Sequence, residues 1–591
     1  MEKRVLLAVF LSFLVLYVYD AAVRPRKQPA PAAQSGAARP PTAPQASEQS
    51  PTAPPRAASA APPVAPAEPV AAPVDTGTAT VGEVSERSIT IETSTVTATL
   101  TNRGGQITGW RLKHYTDERG GPVDLVPAAL PAATPRPLAL EVKDAVVTRQ
   151  LNAALYRVTQ DGAEAANTIH VSKPTRLDFE YQNDRGLQVR KTLTFEPTGY
   201  IFGFSASASS SAGILNPAVK WGPGLGDTVS IAGEGSSFST YVQKPQGILF
   251  RNGKAERLPL NTIQEQPVYE GEFGFAGIDD HYFIATLIEP GSVRIQYEPI
   301  LAPLEGSDQK RELLAWNMSF PRPPDAVRVF FGPKDFDVLA AVDRTLVKAI
   351  HFGIWDFFAV PLLRALKWIN AYVGNYGWSI IILTVLINLL MFPLRHKSVV
   401  SMRKMQELQP QVKAIQERYS KYKATDPERQ KMNQELMGLY REKGVNPASG
   451  CVPMLLTMPV LFAFYSLLSV AIEMRGAPFG LWIQDLSVHD PYYITPLIMG
   501  ATMLVQQRMT PIADPAQQKV MMLTPVIFLF FFLWAPSGLV LYWTVSNMLA
   551  IGQQYVTNRI IGAPVARQVR PPAERRVKNV GAGSTEGARK A

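Results

Sequence analysis

The side chains of this sequence that could do chemistry lie inside its apolar runs. In residues 377–394, GWSIIILTVLINLLMFPL, the strongly polar interior positions are Thr384 and Asn388, four residues apart. In a helix they stand one above the other on a single face. An amide in hydrocarbon is costly unless it meets a partner or water. Two readings follow: hydrogen-bonding glue between helices, or the lining of a wet cavity. Further apolar runs carry Thr457, Ser466, Tyr542, Trp543, Thr544, Ser546 and Asn547. Hydroxyls, amides and aromatics without full charges suit a surface that wets part of a sliding chain and then releases it. A tight small-molecule site would want sharper, convergent charge.

Covalent and metal chemistry find no support. The single cysteine, Cys451, excludes an intrachain disulfide, and the six histidines form no H-E-x-x-H or similar cluster. No motif supports nucleotide use or a covalent nucleophile, so neither a cofactor nor an enzymatic activity is expected. Asp279 and Asp280 beside His281 read as a solvated turn without chemistry.

The elements that must position these groups differ sharply along the chain. The 59 Lys and Arg against 49 Asp and Glu, and a mean hydropathy near zero, average over unlike segments. The basic surplus sits beside apolar runs, a pattern of membrane topology before nucleic acid. Lys3 and Arg4 precede an apolar run, so residues 1–23 read as a retained signal anchor entering from the cytoplasm. Residues 24–76, of Ala, Pro, Gln and Ser, form a semi-extended tether. Residues 77–334 alternate with period two over 88–94, 96–100, 177–181, 189–195 and 201–206. Asn102-Arg103-Gly104-Gly105 and Asn183-Asp184-Arg185-Gly186 mark turns between runs. They predict a large antiparallel sandwich outside the cytoplasm.

Residues 335–375 turn helical, and Trp355 and Trp368 near Arg364 and Lys367 suit an amphipathic helix along the outer membrane interface. A span over 376–394 follows. Residues 395–449 predict a cytoplasmic helical hairpin, with stripes at Met402, Met405, Leu408, Val412, Ile415 and Tyr419 and at Met432, Leu436 and Leu439. Its basic residues outnumber its acids, and Thr425-Asp426-Pro427-Glu428 fits a capping box. Spans at 450–471, 491–507, 519–534 and 538–557 are joined by an external loop at 472–490, a cytoplasmic loop at 508–518 and a break at Ala535-Pro536-Ser537-Gly538. With a basic tail at 558–591, every heavily basic flank falls on one side. Six spans with both termini cytoplasmic satisfy that constraint. The residues alone leave a transporter and a biogenesis factor open, although no matching halves support a transporter.

At these spans the sequence resembles the YidC membrane protein insertase family. The resemblance is carried by SIIILTVLINLLMFPL (379–394), GCVPMLLTMPVLFAFY (450–465), WIQDLSVHDPYYITP (482–496) and DPAQQKVMMLTPVIFLFFFLWAPSGLVLYWTVSN (514–547), and it covers about 355–555. The anchor, tether and exported domain look like the Gram-negative form. The resemblance implies a polytopic α-helical membrane protein of six transmembrane helices, five forming the core, with a periplasmic β-supersandwich and a cytoplasmic helical hairpin.

It implies an inner-membrane insertase and chaperone, working alone or with the Sec translocon through a hydrophilic groove open to cytoplasm and lipid. Nascent membrane proteins would be its substrates, and basic hairpin and tail would meet ribosomes, targeting factors or lipid. Carried over by position, Thr384, Asn388, Tyr542 and Trp543 are groove residues, and Leu461, Met499, Phe531 and Leu539 form the apolar substrate-contacting surface. Two positions depart from the family pattern. Asn388 stands where bacterial members commonly carry an arginine, and Trp543 where a tyrosine is familiar. Asn388 brings no charge, and Arg395 lies about two turns further on. The competing classes are a polytopic solute transporter or channel, and a sensor that binds sugar through the β domain.

Overall fold

The computed structural model describes residues 78–561 except 118–119, 127–133, 226–243, 304–309, 324–325, 423–425, 446–451 and 510–520. The expected anchor and tether, most of the basic tail, Cys451 and the loop before residue 521 lie outside the described residues.

The period-two runs become strands. Arg190 and Thr192 of Gln188–Phe195 face outward, while Val189, Lys191, Leu193 and Phe195 are buried. The main path of a fifteen-stranded sheet runs Lys254–Leu258, Gln246–Arg251, Val268–Asp279, Phe283–Pro303, Val327–Pro333, Ile201–Ser210, Gln188–Phe195, Thr175–Asn183, Arg157–Gln160 and Ala163–Glu164. A second sheet of five strands orders Pro122–Asp124, Gln106–Thr116, Val96–Thr101, Ser88–Glu92 and Thr168–His170. Among the described residues, strand pairing is antiparallel except between Ser88–Glu92 and Thr168–His170. The sheets meet through aromatic side chains. Trp110 of the smaller sheet lies 5.3 Å from Phe202 and 5.2 Å from Phe331 between ring centroids, and its Nε1–H donates to the Phe331 carbonyl at 2.9 Å.

Strand register also turns Lys191 inward, opposite Phe179, where it is wholly buried. Its Nζ donates to Gly104 O at 2.5 Å, Leu138 O at 2.6 Å and Gly105 O at 3.3 Å. Burial pushes the amine down to about 7, but three carbonyl acceptors use all three hydrogens of an ammonium. Gly104 and Gly105, at φ +67° and +57°, form the expected turn that presents two of these carbonyls.

The acid–histidine trio is corrected by the structure. Asp279, Asp280 and His281 are 0%, 1% and 4% exposed, a buried socket rather than a solvated turn. Asp280 Oδ1 accepts from the backbone of Tyr282 and Phe283 at 2.9 and 2.7 Å, and Lys334 Nζ reaches Asp279 Oδ2 at 3.0 Å. His281 Nε2 donates to Ser469 O at 2.6 Å, which joins the β domain to the helical domain. Burial pushes the His281 imidazole down to about 4, so it is neutral in this position. Sequence alone could not show the helix end that covers this turn.

A short helix at Phe336–Val342, capped by Asp335, leads into the helical domain. Its helices are α1 (Asp356–Val373), α2 (Tyr376–Arg418), α3 (Pro427–Glu442), α4 (Val452–Val470), α5 (Ile494–Met509), α6 (Thr524–Phe532) and α7 (Ser537–Ile561). Helix α1 ends on left-handed Gly374, and Asn375 caps α2 by accepting from Trp378 N at 3.1 Å. The change of composition at Arg395 does not end α2. One helix of 43 residues continues through Pro393 and Pro410 to Arg418, about 65 Å at ~1.5 Å per residue. Asp426 caps α3 with Pro427 in its first turn, and the two helices meet at the Arg418–Glu435 ion pair, 2.8 Å.

Among the described residues α2 is long and apolar enough to cross a membrane, and a shorter apolar helical stretch covers Thr457–Val470. Lys367 of α1 pairs with Asp337 at 2.7 Å and with Glu473, just beyond α4, at 3.0 Å. Burial opposes this ammonium, but the surrounding carboxylates prevail and hold its pKa above the ordinary lysine range.

Candidate functional site

The helical domain divides along its axis into an apolar end and a polar one. Around the start of α2, a core of Leu363, Leu366, Ile380, Leu383, Phe464, Leu467, Leu468, Leu486 and Leu539 is closed. The loop before α5 ties down α7 there: Gly538 N donates to Leu486 O at 3.0 Å and Ser537 N to Val488 O at 2.7 Å.

From Thr384 onward the facing surfaces of α2 and α7 turn polar. Thr384, Asn388 and Tyr542 are 0%, 7% and 7% exposed. The Thr384 hydroxyl donates to Ile380 O in its own helix at 2.6 Å. Asn388 Nδ2 donates to Thr384 O at 2.8 Å and, more weakly, to Ser546 Oγ of α7 at 3.4 Å. Those bonds turn the amide oxygen the other way, where Arg395 Nη1 donates to it at 2.7 Å. A position seven residues further along lies two turns away on nearly the same face. The long side chain reaches back, setting a guanidinium beside an amide that carries no charge of its own.

The polar seam continues along the helices. His396 Nδ1 lies 3.4 Å from Thr557 Oγ1, Arg403 bonds Asn558, and Gln554 Nε2 donates to Asn558 Oδ1 at 3.0 Å. Seven residues before Gln554 on α7, Asn547 Nδ2 donates to Thr502 Oγ1 of α5 at 3.3 Å. Arg395, Arg403, Gln554 and Asn558 were not among the candidate groove residues. For Arg395 the signal was its place two turns beyond Asn388 on one unbroken helix; Gln554 and Asn558 lie on α7, seven and eleven residues beyond Asn547 and so near its face.

Tyr542 stays at the seam, and the remaining candidates do not gather there. Tyr542 stacks on Phe464 with centroids 4.3 Å apart. Trp543, the next residue and so about 100° round the helix, packs on Phe528 and Phe532 of α6 at 5.4 and 5.0 Å. Of the apolar candidates, Met499 and Leu539 are buried at 0% and 1%, Leu461 is half-buried against the apolar core, and Phe531 is 51% exposed. Among the described residues, no group of three or more His, Cys, Asp and Glu could hold a metal ion.

Residues 368–563 match the family model described as 60Kd inner membrane protein, and residues 88–365 match that described as YidC periplasmic domain. A membrane protein insertase YidC of Geobacter sulfurreducens is 38% identical over 589 residues, covering 96% of this chain and 100% of the relative. That of Geobacter metallireducens is 35% identical over 591 residues, with the same 96% and 100% coverage. A crystal structure of an active YidC insertase with its first transmembrane domain resolved matches 80% of this chain and 93% of its own, at 18% identity and a TM-score of 0.35. With the β domain and the helical domain each matched by a family model, and with relatives aligned over their whole length, this chain belongs to the YidC family of membrane protein insertases.

Proposed function

We propose that this protein inserts and chaperones membrane proteins by admitting a substrate's polar segment into the α2/α7 seam while its apolar segment passes along the lipid-facing flank. The observation that supports it best is the Arg395–Asn388 hydrogen bond, which sets a guanidinium inside the seam. An arginine held there offers an acidic substrate end a partner where water is scarce. Thr384, Asn388 and Tyr542 mark the inner end of the path, and the apolar core around Leu383 and Leu486 closes it beyond. A polar segment entering from the α2 C-terminal side thus meets a shortened apolar barrier.

The flank is supplied by exposed Leu386, Leu389 and Leu390 of α2 and by Val526, Ile527 and Phe531 of α6. Trp543 braces α6, while Leu461, Met499 and Leu539 shape that flank from beneath. The transfer of an apolar helix from water to lipid drives insertion, and no nucleotide is required. In this reading six spans place both termini and the α2–α3 extension in the cytoplasm and the β domain in the periplasm. The basic residues of that extension, with the tail, meet ribosomes, targeting factors or anionic lipid. Larger substrates are taken together with the Sec translocon. Insertion of a short single-span protein into liposomes holding only this protein, compared across Asn388 and Arg395 variants, tests the proposal. Absence of insertion by the native protein refutes autonomous action.

A further inference from the structure

Between Arg475 and Asp485 the chain carries no charged residue. It folds there into a tight turn in which Phe479 N donates to Ile483 O at 3.1 Å and Ile483 N to Gly480 O at 3.1 Å. At the tip Leu481 is in the left-handed region, φ +56°, and is 85% exposed, while Ile483 two residues on is 4% exposed. A leucine is strained in this region because its Cβ crowds the backbone; glycine or asparagine adopts it readily. The turn therefore holds a large apolar side chain outward at a position where a water-facing loop favours a small or polar one.

This turn is clamped to the first turn of α2. Asn375 Nδ2 donates to Pro478 O and Phe479 O, both at 3.1 Å. The Phe479 ring lies over Gly377, where a Cβ would come within 2.1 Å of it, and 5.8 Å from the half-exposed ring of Trp378. On the other side Trp482 Nε1 donates to Asp490 Oδ1 at 3.0 Å, which prevents the turn from rolling over. Leu481 thus stands beside the entry of a helix whose flank presents Leu389 and Leu390, 68% and 79% exposed.

We propose that the turn at 480–483 is a membrane wedge. Leu481 inserts among the phospholipid acyl chains of the leaflet at the N-terminal end of α2. It continues the apolar flank of that helix and fixes the depth of the loop that closes the bundle. The proposal rests on reading α2 as a membrane span.

Its test is a nitroxide label on L481C in a C451S background, with the whole protein in phosphatidylcholine and phosphatidylglycerol liposomes. Relaxation by oxygen, which partitions into lipid, is compared with relaxation by a water-soluble nickel chelate. L390C reports the span and V84C, on the fully exposed Val84 of the β domain, reports water. The expected result is a shift of the oxygen-to-nickel ratio at 481 away from the V84C value toward that of L390C. A value at 481 equal to that of V84C, with L390C in lipid, overturns the wedge alone. A label shielded from both reagents marks a contact with a second copy and overturns it equally. A water-like L390C overturns the span reading and the wedge with it.

Discussion

Removing the guanidinium from the seam should impair substrates with an acidic end and spare those without one. Arg395 reaches back along α2 to Asn388 Oδ1 at 2.7 Å. A substrate carboxylate about 4 Å from that guanidinium gains about 1 kcal/mol in bulk water and about 4 kcal/mol at an effective dielectric near 20. The seam is partly buried and lies between these limits. A central value of about 2 kcal/mol corresponds to about thirtyfold in productive capture. The assay is protease-protected insertion of a single-span protein into liposomes, with an acidic or an uncharged leading segment.

R395M should lower insertion of the acidic substrate by at least about tenfold, the lower part of that range, and leave the uncharged one nearly unchanged. N388A removes the anchor, a charge-assisted bond contributing about 1.5–3 kcal/mol. It lets the guanidinium swing away, so its loss is smaller but in the same direction. N388R/R395M returns a guanidinium to the seam from the other position and should recover insertion, which separates charge from misfolding. Equal insertion of the acidic substrate by the native protein and R395M refutes electrostatic capture.

Three further outcomes probe the scaffold. His281 titrates at about 4 when folded against about 6.5 unfolded, so the unfolded chain binds more protons between these values and acid disfavours folding. The stability difference between the native protein and H281Q should therefore move against the native form by about 3 kcal/mol as pH falls from 7 to below 4. It should stay constant above 7, and the comparison cancels much of the opposite titration of Asp280, raised to about 7 by burial; thermal melting in detergent reads it.

The Asp490 carboxylate accepts from Trp482 Nε1, Tyr492 N, Thr495 N and Thr495 Oγ1. D490A should cost about 2–4 kcal/mol and show as faster proteolysis in the loop before α5. G377A drives a Cβ into Phe479 and should destabilise by about 1–3 kcal/mol, with Trp378 fluorescence shifting as the ring moves.

The β strands were legible because alternation has a period of two and depends only on which side of the sheet is covered. The runs at 177–181 and 189–195, with the Asn183–Gly186 turn between them, fall within the strands Thr175–Asn183 and Gln188–Phe195. The expected break at 535–538 lies where the structure leaves helix between Phe532, the end of α6, and Ser537, the start of α7. The residue blocks in the apolar runs pointed to the family that the whole-length relatives bear out.

Tertiary structure decided the rest, because each remaining feature depends on groups distant in sequence or on side-chain reach. Sequence showed Asp279-Asp280-His281 as polar, but Lys334 against Asp279 and the end of α4, 188 residues from His281, make them a buried socket. Likewise the uncharged Asn388 stands beside a cation because α2 runs unbroken through Arg395 and packs on Ser546 of α7. Composition changes abruptly at Arg395, whereas a helix is propagated by backbone hydrogen bonds that are indifferent to whether the next side chain faces lipid or water.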